Sequence, residues 1–214
     1  MPNNLQQSAL FEHDFSGCQH MITYQQPPML VVRAYLDPSQ QQALWAEAQQ
    51  YPLQKPVVEV FGKSHPIPRT QVWFGDPGCD YLYSGLMVKA QPWPKYCGRL
   101  RHKLMRDFQL RSNGVLVNHY ANGRECMGWH SDNEPELQPG SDIASVTIGA
   151  ARDFDIRHRH SGEKLRLVLY SGDLLLMRWP MQQHWQHAVP KRLTLDQPRL
   201  NFTFRQLNPD FHCC

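Results

Sequence analysis

The chain has 214 residues, of which 41% are hydrophobic and 19% charged, and these proportions exclude a disordered or fibrous protein and fit one compact domain. No apolar run approaches the roughly 18 residues of a membrane-spanning helix, and the first residues lack the basic and apolar regions of a secretory signal. The formal net charge of +3 does not by itself indicate a class of binding partner.

The six cysteines are scattered and form no C-x-x-C pair, which argues against a zinc ribbon and a disulfide framework. We therefore expect reduced thiols in an intracellular protein, cytoplasmic in a bacterial host and nuclear in a eukaryotic one. The cysteines are Cys18, Cys79, Cys97, Cys126, Cys213 and Cys214.

The beginning of the chain predicts an arm, a strand and a helix. Residues 1–28 are polar and glutamine-rich, which predicts a loose arm. The run MLVVRAYL, from Met29, predicts a strand. Asp37 is followed by proline and predicts the start of a helix over roughly 38–50, because Asp is favoured at the N-cap and Pro is tolerated in the first turn.

The next part of the chain predicts short strands and a basic helix. VVEVFG and TQVWFG are β-like pieces in a stretch rich in Pro and Gly. Apolar residues at helical spacing predict a second helix over roughly 93–110. Its lysines and arginines, between Lys95 and Arg106, predict a surface that could meet phosphates.

After Gly114 the hydrophobic pattern changes to a period of two, which is typical of half-buried strands. The predicted strands are 115–120, 143–149, 153–158, 165–170, 173–179 and 200–207. Many short strands joined by Gly- and Pro-containing turns predict a sandwich, a jelly roll or a small barrel.

A candidate metal site lies in NHYANGRECMGWHSDNEPEL. His130 and Asp132 are two residues apart, so on an extended segment they face the same side. A third ligand could come from His184 or His187. Two histidines and one carboxylate that leave open coordination positions are typical of non-haem Fe(II) oxygenases. The alternatives are hydrogen-bonded surface histidines and a zinc hydrolase site.

The last predicted strand carries four polar residues on one face, Arg199, Asn201, Thr203 and Arg205. Two arginines on the inner face of a sandwich are costly unless they meet anions. Guanidinium groups bind carboxylates in a bidentate fork, so a dicarboxylate such as 2-oxoglutarate fits this face. The alternative is an outward polar face on a half-exposed strand.

The order N-x-Y, H-x-D, a distal histidine and R-x-N-x-T-F-R resembles the AlkB family of Fe(II)- and 2-oxoglutarate-dependent nucleic-acid dealkylases. VFGKSHPIPRTQVWFGD, DYLYSG and GSDIASVTIGAARDFDIRH resemble the branch of that family that repairs duplex DNA. The resemblance covers roughly residues 55–207.

The resemblance implies a mainly β fold with flanking helices (α+β), whose core is a double-stranded β-helix, or jelly roll. It implies a single dioxygenase domain over 29–214 after the arm. Within it, residues 29–113 form an N-terminal extension with nucleotide-recognition loops, and 114–207 form the catalytic core.

The resemblance also assigns the iron and the cosubstrate to eight residues. The catalytic iron ligands are His130, Asp132 and His187, and His187 is preferred over His184 because it precedes Arg199 by the family's spacing of twelve positions. The residues implied to bind 2-oxoglutarate are Arg199, Tyr120 and Asn201 at its distal carboxylate, and Asn118 and Arg205 near its metal-chelating end.

The substrate residues implied by the resemblance surround a base that is flipped out of the helix. Tyr83 and the ring of His130 stack on the base, and Phe61 fills the gap left in the duplex. The other pocket residues are Tyr81, Ser84 and Glu134, with Arg69 near the pocket mouth. The basic residues implied to contact the nucleic-acid backbone are Arg157, Arg159, Lys191 and Arg192.

The implied function is oxidative demethylation of N-alkylated bases in DNA, of the 1-methyladenine and 3-methylcytosine type. Fe(II) is the implied cofactor and O2 and 2-oxoglutarate the implied co-substrates, and succinate, CO2 and formaldehyde are the implied products. The expected partner is alkylated DNA, duplex or single-stranded, with RNA as a further candidate; we expect a monomer and no membrane partner. The alternatives are a related oxygenase that acts on RNA or protein, and a catalytically idle nucleic-acid binding module.

Overall fold

Two antiparallel sheets stacked face to face form the core of the protein. The structure, a computed structural model, describes residues 11, 20–60, 62–83 and 85–212, with only the backbone at Val60, Lys63 and Tyr83. No helix within these residues is long and apolar enough to cross a membrane.

The described part of the chain contains fifteen strands and three helices. In chain order they are β1 (Met21–Tyr24), β2 (Met29–Val32), α1 (Pro38–Ala48), β3 (Val57–Val60), β4 (Lys63–Pro66), β5 (Thr70–Gly75), β6 (Tyr81–Tyr83), β7 (Leu86–Val88), α2 (Lys95–Phe108), β8 (Gly114–Tyr120), β9 (Met127–His130), β10 (Ile143–Gly149), β11 (Arg152–His158), β12 (Lys164–Leu169), β13 (Leu174–Met177), α3 (Met181–His184), β14 (Trp185–Val189) and β15 (Arg199–Arg205).

The larger sheet has seven strands in the order β1-β2-β13-β10-β15-β8-β5, and the smaller has four in the order β12-β11-β14-β9. Two separate hairpins, β3–β4 and β6–β7, complete the strands. Every pairing between the described strands is antiparallel. This arrangement confirms the prediction of a mainly β, jelly-roll fold with flanking helices.

Side-chain alternation along the strands separates two hydrophobic layers. Met177 and Phe154 belong to the cluster between the two sheets. Phe202 and Phe204 of β15 belong to a second cluster with Leu100 of α2, on the opposite face of the larger sheet. The polar residues of β15 therefore project between the sheets, as its period of two predicts.

Helix α1 confirms the predicted cap. The Asp37 side chain accepts a hydrogen bond of 2.9 Å from the Gln40 N–H, and the Gln40 side chain accepts one of 3.1 Å from the Asp37 N–H. This reciprocal capping box satisfies two donors that the first turn would leave free. Helix α2 likewise matches the second predicted helix, with somewhat shorter bounds.

The predictions for the beginning of the chain were partly wrong. The predicted loose arm contains strand β1, which pairs with β2 at the edge of the larger sheet. The strand predicted from Met29 ends at Val32, because Ala34 adopts a positive φ of 50° and turns the chain. Strands β9 and β14 were not predicted, although they carry two of the candidate metal ligands.

Candidate active site

Two histidines face each other across neighbouring strands of the smaller sheet. His130 of β9 and His187 of β14 are direct partners in the strand register, and their ring centroids are 4.2 Å apart. The Asp132 carboxylate lies against both, 3.8 Å from each histidine Nε2. The three ligand atoms lie within 4.8 Å of one another. The paired strands and the residues just after β9 thus bring three metal donors together.

Both rings present Nε2 to this cluster. The Nδ1 atom of His130 lies 2.9 Å from the carbonyl oxygen of Gly128, which requires a proton on Nδ1 and leaves the Nε2 lone pair free. The ring of His187 instead stacks on Phe154, with centroids 5.1 Å apart. Burial, reinforced by His130, lowers the pKa of His187 to about 3. His187 is therefore neutral at physiological pH, the form that binds metals.

Asp132 is held as a carboxylate by its surroundings. Arg205 Nη2 donates a hydrogen bond of 2.5 Å to Oδ1, and the Asp132 N–H donates one of 3.0 Å to the Gln182 side chain. Burial alone would raise the pKa of Asp132, but Arg205 and the two imidazoles outweigh it and lower the pKa. The same carboxylate raises the pKa of Arg205, although burial opposes this effect.

The two arginines of β15 have side-chain donors that no described residue satisfies. Arg199 and Arg205 are 2% and 3% exposed, and the Nε and Nη1 atoms of each lack a hydrogen-bond partner among the described residues. Arg199 Nη2 donates to Thr147 and Asn201, at 2.9 and 2.8 Å. Burial lowers the pKa of Arg199 to about 10, so it remains charged at neutral pH. Arg205 already pairs with Asp132, whereas the described side chains to which Arg199 donates are neutral. An anion bound in the cavity would give Arg199 a counter-charge and satisfy the free donors of both residues.

One cavity between the sheets contains all of these groups. Its walls are formed by Asn118, Tyr120, Met127, His130, Asp132, Ser145, Phe154, Met177, His187, Val189, Arg199, Asn201, Thr203 and Arg205. All eight residues predicted to bind iron or 2-oxoglutarate are among them. His184 is exposed outside the cavity, with its ring near His158, so it does not join the metal donors.

The donor set fits Fe(II) with 2-oxoglutarate. Two imidazoles and one carboxylate suit Fe(II) and leave coordination positions open. The same donors could hold zinc, but a zinc site alone would leave the buried donors of Arg199 and Arg205 without a partner. A dicarboxylate beside the metal satisfies both arginines.

The predicted substrate residues are described in part. The Tyr81 hydroxyl donates to the Glu134 carboxylate, and the Tyr81 ring stacks on Trp73 with centroids 4.7 Å apart. Burial raises the pKa of Tyr81 well above its ordinary value, which keeps the hydroxyl protonated. Phe61 and Ser84 lie outside the described residues, and Tyr83 is described only by its backbone in β6.

Arg69 lies deeper than predicted. Its side chain was expected near the mouth of the pocket, but the residue is 2% exposed. Its Nε donates a hydrogen bond of 2.8 Å to Asn118, a residue of the cavity wall. The structure therefore places Arg69 behind Asn118, where it orients the amide.

The predicted backbone-contacting residues differ in how they are held. Arg157 donates to Gln186, at 2.9 and 2.8 Å, and lies over the Trp129 ring, and exposed Arg159 donates to Ser131. Lys191 and Arg192 are exposed on the loop after β14. Arg192 also forms an ion pair with the buried carboxylate of Asp153.

The basic helix α2 does not contribute to this side of the molecule. Leu100 and Leu104 pack in the hydrophobic cluster on the face of the larger sheet opposite the cavity. Arg101 pairs with Asp76, and buried Lys103 pairs with Asp107 at 2.8 Å. The prediction that this helix lies with the other basic groups near the pocket is therefore wrong.

Arg152, which the sequence analysis missed, ties together two loops beside the cavity. Its Nη2 donates to the carbonyl oxygens of Glu125 and Pro190, at 2.9 and 2.6 Å. At the same place the carbonyl oxygen of Gly123 accepts a hydrogen bond of 2.7 Å from the Arg192 N–H. The partners are backbone carbonyl oxygens, which every residue type has, so the sequence cannot predict these contacts.

Gln182 is a second residue that the sequence did not indicate. It is 9% exposed and accepts the hydrogen bond from the Asp132 N–H. Its Nε2 contacts the Met177 sulfur at 3.2 Å, which holds the amide in place. Gln182 thus fixes the backbone of a candidate metal ligand, and Arg205 holds its side chain.

Comparisons with known proteins agree with this geometry. Residues 28–205 match the family model of the 2OG-Fe(II) oxygenase superfamily. The chain is 43% identical over 160 residues to the DNA oxidative demethylase ALKBH2 of Mus musculus, covering 71% of this chain and 67% of that protein. It is 42% identical over 158 residues to ALKBH2 of Homo sapiens, covering 70% of this chain and 60% of the human protein.

A second relative and a solved structure are also similar to this chain. The chain is 34% identical over 157 residues to the alpha-ketoglutarate-dependent dioxygenase alkB homolog 3 of Mus musculus, covering 69% of this chain and 54% of that protein. The chain thus matches between about half and two thirds of the length of these relatives. The structure of OsALKBH1 superposes with a TM-score of 0.60 at 16% identity, over 87% of this chain and all of that one, which shows the shared fold.

Proposed function

Because this chain belongs to the 2OG-Fe(II) oxygenase superfamily and, within it, to the AlkB family, we propose that it is a DNA oxidative demethylase. Its substrates would be N-alkylated bases of the 1-methyladenine and 3-methylcytosine type, repaired by direct reversal. The names of the ALKBH2 relatives support DNA as the substrate. We also propose that it acts as a monomer and inside the cell, where its substrate is found.

One observation carries the proposal: metal donors and unpartnered arginines share a single cavity. His130, Asp132 and His187 converge within 4.8 Å. Arg199 and Arg205 line the same cavity with buried donors that no described residue satisfies. A metal and a dicarboxylate bound side by side account for both features, whereas either ligand alone accounts for one.

The residues of this chain would bind and orient the reactants. His130, Asp132 and His187 would hold Fe(II). Arg199, with Tyr120 and Asn201, would fix the distal carboxylate of 2-oxoglutarate. Asn118 and Arg205 would lie near the end of 2-oxoglutarate that chelates the metal. Bound Fe(II) with 2-oxoglutarate supplies the oxidation of the N-methyl group by O2, with release of succinate, CO2 and formaldehyde.

The pocket also sets the protonation states on which binding depends. Neutral His187 offers a lone pair, and Arg205 keeps Asp132 ionised. Arg199 remains charged at neutral pH, so its attraction to a carboxylate is retained in the buried cavity. Orientation of the cosubstrate before reaction removes much of the entropic cost of bringing the groups together.

The proposed base site lies between the hairpin β6–β7 and the metal donors. A methylated ring nitrogen is inaccessible in a duplex, so the nucleotide must be extruded at a cost of a few kcal/mol. Tyr83 and the ring of His130 would stack on the base, and each stack is worth roughly 1–3 kcal/mol. Phe61 would fill the vacated position in the duplex.

The remaining proposed substrate contacts are polar. Tyr81, joined to Glu134 by a hydrogen bond, would form one wall of the base pocket with Ser84. Arg69 would act on the pocket through Asn118. The proposed contacts to phosphates are Arg157, Arg159, Lys191 and Arg192. Their contribution to DNA affinity would decrease with salt.

The test is formaldehyde release from oligonucleotides that carry 1-methyladenine or 3-methylcytosine, presented as duplex DNA, single-stranded DNA and RNA. We expect release from DNA that requires both Fe(II) and 2-oxoglutarate, with an equal yield of succinate. Asp132→Ala serves as the inactive control. Release from RNA alone would identify an RNA oxygenase instead, and no release from any methylated DNA would refute the proposed function.

A further inference from the structure

An acidic residue stands at every second position of the segment Asp132–Glu136, directly after the strand that carries His130. Each of the three carboxylates accepts a hydrogen bond from a different donor. The pairs are Asp132 with Arg205, Glu134 with the Tyr81 hydroxyl, and Glu136 with the Leu82 N–H. The segment therefore links the metal donors at one end to strand β6 at the other.

Glu136 is fully buried, with an exposed fraction of 0%. Its Oε1 accepts a hydrogen bond of 2.9 Å from the Leu82 N–H and lies 3.5 Å from His212 Nε2. Its backbone is also fixed, because its carbonyl oxygen accepts a hydrogen bond of 2.8 Å from the Asn208 N–H. Burying a carboxylate costs free energy unless it is hydrogen-bonded, and the Leu82 N–H supplies such a bond to Glu136.

The hairpin β6–β7 is held by contacts outside its own two strands, among them the Tyr81 stack on Trp73 and the hydrogen bond to Glu136. It consists of three residue pairs, with Tyr81, Leu82 and Tyr83 opposite Val88, Met87 and Leu86, and it joins neither large sheet. An isolated two-stranded hairpin is marginally stable. The Leu82 N–H is directed to Glu136, on the edge of β6 where a third strand would otherwise pair. Glu136 thus caps this edge.

Resting on the proposed function, we propose that Glu136 is a positioning residue for the substrate base. It holds Leu82, and with it the adjacent Tyr83 backbone, at a fixed place relative to Asp132 only four residues earlier in the chain. The hairpin then presents the base at a constant distance from the metal donors. Glu136 touches neither the substrate nor the metal, and acts through the hairpin.

Three variants test this role. Glu136→Ala removes the acceptor, Glu136→Gln keeps an acceptor oxygen without the charge, and Glu163→Ala removes a carboxylate from an exposed turn as a matched control. In Glu136→Ala we expect the KM for methylated oligonucleotide to rise roughly tenfold, because the buried hydrogen bond that holds the Leu82 N–H is lost. The KM for 2-oxoglutarate should not change, and succinate should form in excess of formaldehyde. Glu136→Gln should restore the wild-type values.

A second measurement does not depend on activity. Hydrogen–deuterium exchange of the Leu82 amide should accelerate at least about tenfold in Glu136→Ala, and return to the wild-type rate in Glu136→Gln. If Glu136→Ala does not fold, Glu136→Asp keeps the charge but shortens the side chain, and should show smaller changes of the same kind. If the wild type demethylates no DNA, the proposed function fails while the exchange data still decide whether Glu136 anchors the hairpin.

The outcomes that overturn the proposal are specific. One is an unchanged exchange rate at Leu82 in Glu136→Ala. Another is faster exchange with an unchanged KM for oligonucleotide and equal yields of succinate and formaldehyde. A Glu136→Gln variant as impaired as Glu136→Ala would also overturn it, because the acceptor oxygen would then not be the property that matters.

Discussion

Arg205 donates a hydrogen bond of 2.5 Å to Asp132, and the two side chains are only 3% and 2% exposed. Such a buried pair is stable only while both partners are present, because either one alone is an uncompensated charge in an apolar surrounding. Asp132 therefore has two roles, as a candidate metal ligand and as the counter-ion of a buried arginine. Changes at this residue should affect both activity and folding.

Replacement of Asp132 by alanine should abolish Fe(II) binding and turnover. It should also lower the free energy of unfolding of the metal-free protein by about 3–5 kcal/mol, because Arg205 remains buried without its partner. Iron content, succinate release and urea denaturation measure the three effects. Asp196→Ala, at an exposed loop position, is the control. Full activity of purified Asp132→Ala would contradict the assignment of the iron site.

Replacement of Arg199 by alanine should chiefly weaken 2-oxoglutarate binding. Loss of a charge-assisted contact predicts a KM for 2-oxoglutarate raised roughly 10- to 100-fold, with little change in the KM for oligonucleotide. Titration of the cosubstrate at saturating iron measures this change. Arg178→Ala removes a half-exposed arginine that pairs with Asp142 at 3.4 Å, and should behave as wild type. An unchanged titration in Arg199→Ala would argue against its role.

The stability of the metal-free protein should decrease as the pH falls below about 6.5. The pKa of His187 is about 3 in the folded state, against an ordinary value of 6.5, so only the unfolded state takes up a proton between these values. The free energy of unfolding should fall by about 2 kcal/mol between pH 7 and pH 5 from this residue. Urea denaturation across this range should show a smaller slope in His187→Gln, whereas exposed His160→Gln should retain the wild-type slope.

Replacement of Gly123 by alanine should destabilise the two loops that Arg152 joins. A Cβ atom at Gly123 would lie 1.8 Å from the carbonyl oxygen of Arg192, so the backbone would have to move. We expect a loss of about 2–4 kcal/mol in the free energy of unfolding. Gly128→Ala is the matched control, since no atom lies within 4 Å of its added Cβ. Equal stabilities of the two variants would contradict the close approach.

The sequence predicted those features that depend on local pattern. The period of two in β15 correctly divided Arg199 and Arg205 from Phe202 and Phe204, because one face of the strand is packed against helices and the other lines the cavity. The cap at Asp37 was also correct, since a capping box is encoded within four residues. The family prediction is confirmed by the match of residues 28–205 to the 2OG-Fe(II) oxygenase superfamily together with the 43% identity to ALKBH2 of Mus musculus.

Features that depend on distant partners were not predictable in this way. Strands β9 and β14 are short and do not alternate between apolar and polar residues. They form because they pair with each other, which the sequence of either one does not show. Strand β1 is largely exposed at the sheet edge, so it lacks an apolar pattern. The basic character of α2 was misleading because Asp76 and Asp107 neutralise Arg101 and Lys103.

The register that pairs His130 with His187 has a consequence for how such a protein can change. Two of the three metal donors are spaced by hydrogen bonds between strands, whereas the hairpins β3–β4 and β6–β7 lie outside both large sheets. The hairpins can therefore be exchanged or redesigned while the distance between the histidines is kept. If the hairpins contact the base as proposed, lesion choice and oxidation chemistry would be carried by different elements of the fold, joined through the segment Asp132–Glu136.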